Sequence, residues 1–411
     1  MQYAKIALRN ILKNRRRSLV TLTAIAFGFA AVGLFRGYTA NTYDGLRRSA
    51  IRGEGLGHLT IYKAGWLDNA HQDPRNYMLT PAEIEKITAL ARTNRHVLLT
   101  TPQLNVSGLV SNGRTSNIFL AKGVVPDDFK RITGDMADRR ARQGDDLDQN
   151  TPYAVLMAHG LAKQLNLTPD SDAVIMAATL DGQMNALDIH INGTYDTGSE
   201  ATNDKYMLLS YAYAQSLYDT NRADRLIVLL DDWQYTQATR QELQQKLAAA
   251  GLPCEIKTWN ELSLFYSKVK GMFDMIFMFI FVIVLIIVVM STVNTMGMSV
   301  VERTREIGTL RVLGLKRRSV GFLFAMEGAM LGLLGSVAGA ALNIAVWAAI
   351  RMAGPSYVPP GLSSPVPLIV DLLPRAMLVL TLFLTFLSMA AAVMPARRAA
   401  RMGVVDALGH V

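Results

Sequence analysis

Four apolar stretches, at residues 18–35, 272–298, 320–350 and 376–394, interrupt an otherwise mixed chain of 411 residues. Crossing the ~30 Å apolar core of a bilayer takes ~20 residues of helix. In lipid only helices and closed barrels satisfy the backbone polar groups. The pattern therefore predicts an α-helical membrane protein with four transmembrane helices in a 1+3 arrangement, and a large folded segment between the first and second. The triplet Ala24-Ile25-Ala26 has the look of a cleavage site, but it lies in the middle of the first apolar run. Residues continue apolar to Phe35, so the run reads as a retained helix and not as a signal peptide.

The intervening segment changes period. Residues 58–62 and 96–100 read as strands around a helix at 80–93; residues 225–230 and 254–258 read as strands around a helix at 232–250. Thr80-Pro81-Ala82-Glu83 is a capping box with proline at the first helical position. Gly251-Leu252-Pro253 stops the second helix after Leu243, Leu247 and Ala250 on one face. Two β-α-β halves separated in sequence predict a large α+β domain with ferredoxin-like halves. Residues 103–220 then form a β-rich insertion, with two-residue turns predicted at Asn112-Gly113 and Asp181-Gly182. Residues 134–150, charged and poor in apolar side chains, are expected to be a mobile loop.

Charge fixes the orientation. Residues 41–270 carry 24 Lys and Arg against 27 Asp and Glu, a net of −3, so the remaining segments supply the +12 that makes the chain +9. Most of those cations fall in the head (Lys5, Arg9, Lys13, Arg15, Arg16, Arg17), in the loop between the second and third apolar stretches, and in the tail (Arg397, Arg398, Arg401). With all four stretches spanning, the three clusters lie on one side, which the positive-inside rule makes cytoplasmic. The basic balance is thus topological and argues against a nucleic-acid partner. The expected division is 1–40, a cytoplasmic head and first helix; 41–270, an outside domain; and 271–411, three helices with a cytoplasmic tail.

Candidate catalytic chemistry is sparse. Asp145, Asp146 and Asp148 lack the glycine and closing glutamate of an EF-hand loop, no histidine pair has zinc spacing, and Ser, His and Asp are too scattered for a triad. No metal site and no catalytic residue are expected, and the single Cys254 excludes an internal disulfide. Inside the third apolar stretch, Gly328, Gly332, Gly335 and Gly339 recur on one helix face, a spacing suited to close helix packing in lipid. Glu327 beside them is an intramembrane acid, either functional or bonded to a neighbouring helix. The methionines of the second stretch read as packing or lipid-facing residues, with Asp274 near its outer end. Pro395 closes the fourth stretch, and the arginines after it suit anionic head groups.

The loop between the second and third stretches is the most informative feature. Glu302, Arg303, Arg305, Glu306, Ile307, Leu310 and Arg311, followed by Lys316, Arg317 and Arg318, form a compact, charged, partly apolar segment over 302–318. Glu302 and Arg305 have i, i+3 spacing, Ile307, Leu310 and Leu313 offer an apolar surface, and Gly308 and Gly314 permit bends. Such a knob suits docking in a cleft of another protein.

The wording of 298–320, with Glu327-Gly328, Met394-Pro395-Ala396-Arg397-Arg398-Ala399-Ala400-Arg401 and Val404-Val405-Asp406-Ala407-Leu408, resembles the FtsX domain of MacB-like and Lol-like ABC permeases. Ala7-Leu8-Arg9-Asn10 with Arg15-Arg16-Arg17 resembles the start of their first helix. Gly160-Leu161-Ala162-Lys163-Gln164-Leu165-Asn166-Leu167 and Ala186-Leu187-Asp188-Ile189-His190-Ile191-Asn192-Gly193-Thr194-Tyr195-Asp196 are similar to the MacB-type periplasmic core. The resemblance implies a permease half-unit of the bacterial inner membrane, paired with a second copy or paralogue and with nucleotide-binding subunits. No Gly-x4-Gly-Lys-Ser/Thr occurs here, so the ATPase, with its ATP and Mg, is expected on a partner and no cofactor on this chain. This departs from MacB and is closer to the Lol lipoprotein-release permeases. In that family the coupling segment receives nucleotide-driven motion and the first two helices relay it to the periplasmic domains. The implied function is extraction or export of a lipoprotein, lipid or amphiphile, with a periplasmic adaptor or lipoprotein as further partner. The family also holds non-transporting members of the FtsX type, which signal to periplasmic enzymes. An ion-coupled transporter would need inverted repeats and polar broken helices, and neither is found.

Overall fold

The computed structural model describes residues 7, 9–11, 13, 15–134, 142–148, 151–313, 316–359 and 365–401. Its principal elements, in chain order, are α1 (Arg15–Arg48), β1 (Leu59–Lys63), α2 (Pro81–Arg92), β2 (Val97–Ser111), β3 (Ser116–Val124), α3 (Pro126–Thr133), β4 (Arg142–Gly144), β5 (Ala154–Ala158), α4 (His159–Gln164), β6 (Asp172–Ala178), β7 (Met184–Tyr195), β8 (Tyr206–Ser210), α5 (Tyr211–Tyr218), β9 (Arg225–Leu230), α6 (Thr236–Ala249), β10 (Cys254–Thr258), α7 (Leu264–Glu302), α8 (Thr304–Val312), α9 (Arg317–Ala353) and α10 (Pro374–Arg401). Contacts divide the chain into a helical unit (Met1–Tyr43, Val269–Ser356 and Pro367–Val411) and an α/β unit (Asp44–Lys268 and Tyr357–Val366).

Among the described residues, α1, α7, α9 and α10 are the four helices long and apolar enough to cross a membrane. All outlast the apolar runs that predict them. At 1.5 Å per residue the 37 residues of α9 extend about 55 Å, against an apolar bilayer core of ~30 Å. The predicted stop at Pro395 is a correction: the proline lies inside α10, which runs on to Arg401. Lacking an N–H, it forfeits the bond to the carbonyl of residue 391, yet later residues keep their own donors and the helix resumes. Tail residues 404–408 lie outside the described set.

The α/β unit is built on one sheet of order β10-β1-β9-β2-β3-β8-β5-β7-β4, with β6 bridging β2 and β7. β1 pairs antiparallel with β10 and β9, and β2 pairs antiparallel with β9. Each β-α-β half thus contributes one strand to the middle of this four-strand section and one to its flank. α2 and α6 cover it, burying Ile87, Ala91, Leu243 and Leu247 against Leu59, Ile61, Leu226 and Val228. Full burial of each large aliphatic side chain favours folding by ~1.5–3 kcal/mol. α2 opens as its sequence directs: the Thr80 hydroxyl accepts from the Glu83 amide at 3.3 Å and the Glu83 carboxylate accepts from the Thr80 amide at 2.8 Å.

The long β2 carries the sheet into the second half, where pairing is mixed: β3 with β8 and β5 with β7 are parallel. α4 and α5 cover a second core around Phe119, Val155, Met157, Ile191 and Leu209. Both predicted turns are longer than two residues. At 112–115 the Asn112 side chain accepts from the Arg114 and Thr115 amides; at 179–183 Thr179 donates to the Gln183 carbonyl. Gly113 and Gly182 take positive φ there, 83° and 81°, so glycine marks the bend but the loop sets the register. The expected mobile loop is corrected in part: residues 135–141, 149 and 150 lie outside the described set, but β4 pairs with β7 and Leu147 is buried beside Tyr195 and Leu208.

Candidate functional site

The segment after α7 folds because its polar groups find partners close by. Glu302 ends α7, Arg303 leaves helical geometry at φ −109°, ψ 18°, and α8 restarts at Thr304. The Thr304 hydroxyl, itself buried, donates to the Val300 and Val301 carbonyls at 3.0 and 2.9 Å. That adds a side-chain partner to two carbonyls of the last turn of α7, one of which also accepts from the Arg303 amide at 3.3 Å. Ile307 turns inward and packs in a cluster with Ile11, Met296, Val300, Val320, Phe324 and Ala392.

Beneath α8 lies a buried ionic lock. Glu327 on α9 is 2% exposed. Arg303 donates from Nη1 to Glu327 Oε1 at 2.8 Å and from Nε to Glu306 Oε2 at 3.0 Å, and Asn10 donates to the same Glu327 oxygen. The guanidinium carbon stands 5.7 Å from the centre of the Phe324 ring. Burial opposes the Arg303 charge, but Glu327 and Glu306 outweigh it and raise its pKa. A charge this deep is tolerated when paired and hydrogen-bonded; removing one partner of such a pair costs ~3–5 kcal/mol. Two ion pairs at the rim add contacts to the head: Arg17 with Glu302 at 2.5 Å and Lys13 with Glu306 at 3.9 Å.

The residues singled out from sequence thus separate by placement. Arg303, Ile307 and Glu327 point inward; Glu302, Arg305 and Glu306 are exposed, and Arg311 is half-buried. The expected Glu302–Arg305 pairing on one helix is corrected, because the break at Arg303 puts Glu302 on α7 and Arg305 on α8. Nor do Ile307 and Leu313 share a surface: Ile307 is buried, whereas Val312 and Leu313 are 62% and 78% exposed. Gly308 lies buried inside α8 instead of bending it. Leu310 lies on α8, its side chain outside the described set together with residue Gly314.

The glycine stripe is spent within the chain. A Cβ on Gly328 or Gly332 would sit 2.7 Å from the Ser388 carbonyl oxygen or 2.8 Å from the Thr385 Cα of α10. On Gly335 or Gly339 it would meet Ile25 or Phe29 of α1 at 2.7 and 2.6 Å. Sequence reasoning missed the reciprocal glycines Gly28 and Gly33, which leave room for Val284 and Asn343. It also missed the hydroxyl contact between Thr21 and Thr295 at 2.6 Å and the part of Asn10. The i, i+5 spacing of Gly28 and Gly33 follows no helix face, so periodicity could not expose them. Met272, Met275, Met278 and Met290 are exposed and Met296 is buried.

Among the described residues no group of His, Cys, Asp and Glu could hold a metal ion. Burial pushes the Cys254 thiol up to about 11, leaving it protonated and inert at neutral pH.

Four long apolar helices, an ion-locked short helix between two of them and a large α/β domain define the class: a multi-helix membrane protein with a large folded domain. Residues 18–246 match the MacB-like periplasmic core domain family and residues 278–404 the FtsX-like permease C-terminal family. The chain belongs to this family of MacB-like, FtsX-like ABC transporter permeases. It is 25% identical over 412 residues to the macrolide export ATP-binding/permease protein MacB 1 of Yersinia pestis bv. Antiqua, covering 98% of this chain and 60% of that protein. It is 28% identical over 201 residues to the pyoverdine export ATP-binding/permease protein PvdT of Pseudomonas aeruginosa, covering 49% of this chain and 26% of that one. The chain therefore spans less than two thirds of either relative. Among solved structures, the periplasmic region of MacB from Actinobacillus actinomycetemcomitans is similar at 15% identity and a TM-score of 0.38, covering 52% of this chain and 93% of that one.

Proposed function

We propose that this protein is the permease subunit of an ABC transporter that works by mechanotransmission. In this reading a nucleotide-binding partner subunit docks on α8, and ATP-driven movement of α8 passes along α1 and α7 to the α/β domain. That domain, with ferredoxin-like halves and facing the periplasm, extracts or exports a lipoprotein, lipid or other amphiphile. Two permease chains, identical or paralogous, complete the assembly in the inner membrane.

The observation that carries this reading is the construction of α8. One side is fixed to the helical unit by Arg303, Thr304 and Ile307, while charged residues and the apolar pair Val312 and Leu313 face outward. Exposed apolar residues among charges, held on a rigid base, form a small docking surface. A helix fixed on one side can also pass on a push, which a loop of equal length would absorb.

The test is co-purification in mild detergent with the candidate ATPase, with hydrolysis compared between wild type and Val312→Asp/Leu313→Asp. The expected result is loss of the complex and of permease-dependent hydrolysis with unchanged helical content. An intact, normally coupled complex would overturn the docking role. Should the complex form while the purified pair changes the activity of a periplasmic enzyme and moves no amphiphile, the signalling alternative is the better account.

A further inference from the structure

α1 and α7 meet through specific contacts at every depth. At one end Arg17 pairs with Glu302 at 2.5 Å. One turn along, the Thr21 hydroxyl touches the Thr295 hydroxyl at 2.6 Å and accepts from the Ser291 hydroxyl at 3.2 Å. Gly28 then leaves a notch for Val284, whose Cγ1 would stand 2.7 Å from a Cβ at that glycine. Phe35 stacks on Phe277 and meets Phe273 edge-on, with ring centres 6.3 and 6.2 Å apart. At the other end the Tyr43 hydroxyl donates to Asp274 at 2.8 Å, and Lys270 donates to the same carboxylate at 2.5 Å. Partners on α7 fall from 302 to 270 as positions on α1 climb from 17 to 43, so one antiparallel register holds for roughly 39 Å at 1.5 Å per residue. A slip of one turn would break every one of these contacts, and in lipid such contacts, not a hydrophobic force, hold helices together.

The boundary with α9 is built differently. Gly335 and Gly339 admit Ile25 and Phe29 of α1 through apolar contacts. The Asn343 amide nitrogen, on a residue 4% exposed, lies against Gly33 without a hydrogen-bond partner. A buried donor left unpaired costs free energy where it stands, so displacing α1 there forfeits no bond. Both members of the α1–α7 pair are instead tied to α9 at one atom: Glu327 Oε1 accepts from Asn10, ahead of α1, and from Arg303, which follows α7. A second tie, from the Asp371 amide to the Gly37 carbonyl at 3.2 Å, comes from the segment joining α9 to α10 and not from either helix.

We infer that α1 and α7 form one rod of fixed register that tilts as a body over the glycine face of α9, with the Glu327 carboxylate as its pivot. Small shear movements of packed helices are a common form of switching. A face of small residues without bonds allows them, and a boundary bonded along its length does not. The inference deepens the permease reading and rests on it for its purpose: a push on α8 reaches the rod close to the pivot, so a small displacement there becomes a larger one at Tyr43 and Lys270. The clasp of Tyr43, Asp274 and Lys270 keeps the two helices from splaying where that displacement is greatest.

Disulfide cross-linking tests it with the full chain in nanodiscs, a Cys254→Ser background and the candidate ATPase. Thr21→Cys/Thr295→Cys puts two sulfurs within bonding reach inside the rod. Gly33→Cys/Asn343→Cys does so between α1 and α9, its second change removing the amide that a Cβ at residue 33 would strike. Each oxidised protein is compared with itself after reduction by dithiothreitol. The link inside the rod should form to the same extent without nucleotide and with ATP trapped by vanadate, and should leave permease-dependent hydrolysis unchanged. The link to α9 should lower hydrolysis severalfold, with recovery on reduction. Thr21→Cys/Ser299→Cys, one turn out of register, should stay reduced in both states, and it decides the matter if the Gly33→Cys/Asn343→Cys protein fails to fold. A rod link that arrests hydrolysis, a harmless link to α9 or an off-register disulfide overturns the inference. The off-register pair is read without any ATPase, so a chain that binds none strikes the permease reading instead.

Discussion

Two buried side chains show how the residue scale sets conditions for the rest. Glu327 is legible in the sequence as an acid inside an apolar run, but its partners are not, because Asn10 and Arg303 are brought to it only by the packing of three segments. Glu327→Ala should destabilise the helical unit by ~3–5 kcal/mol, seen as a lower unfolding temperature in detergent, because it strands the Arg303 guanidinium. Arg303→Met/Glu327→Met, which removes both charges together, should cost much less than the sum of the single changes. Additive losses would show that the lock contributes nothing as a pair. His58 is a different case. It is buried, its Nδ1 accepts from the Leu230 amide at 3.0 Å, and burial, helped by Arg52, lowers its pKa from 6.5 to about 4. Because the folded state resists the proton that the unfolded chain accepts, stability is full above pH 6.5, falls as pH drops toward about 4, and is level below that. The loss is on the order of 3 kcal/mol at ~1.4 kcal/mol per pH unit. Urea unfolding of wild type and His58→Gln at pH 7.5 and 4.5 should show the smaller pH dependence in the variant; equal slopes would remove His58 as the cause.

At the scale of elements, local signals proved most readable where chemistry is local. The Thr80–Glu83 box starts α2, and the strands at 58–62, 96–100, 225–230 and 254–258 sit within a residue or so of β1, the start of β2, β9 and β10. Apolar runs located α1, α7, α9 and α10 but not their ends, since the polar continuations of α1 to Arg48 and of α7 back to Leu264 carry no hydropathic mark. The π-turn at Ser49–Gly53 and the parallel pairing of β3 with β8 left no trace either, as both depend on segments distant in sequence. The glycine stripe was legible as a face, and the structure shows what covers it. Gly332→Val would drive a branched side chain into the Thr385 backbone and should cost ~1–3 kcal/mol or more by overpacking. Gly45→Ala on the same class of helix has nothing within 4 Å of its new carbon and should be neutral or slightly stabilising. Thermal unfolding of the two variants side by side checks the contrast, and a harmless Gly332→Val would refute the close approach of α9 and α10.

For the whole molecule, the division of labour between units follows from composition before any contact is known. All of the positive excess lies outside residues 41–270, so the helical unit carries the topological charge and the α/β unit the near-neutral surface. What composition could not give is the inward and outward assignment at α8, because Ile307 and Leu313 are equally apolar and only their neighbours tell them apart. The proposal turns on that assignment, since it has the face holding Leu313 meet the ATPase and puts the opposite end of α9 on the other side of the membrane. Cysteine cross-linking measures this directly, in a Cys254→Ser background with a short bismaleimide and the candidate ATPase carrying one cysteine in its cleft. Leu313→Cys should give a covalent permease–ATPase product whose yield changes with nucleotide, while Met352→Cys, 83% exposed at the far end of α9, should give none. A product from Met352→Cys, or none from a folded Leu313→Cys protein that still stimulates hydrolysis, would contradict the account.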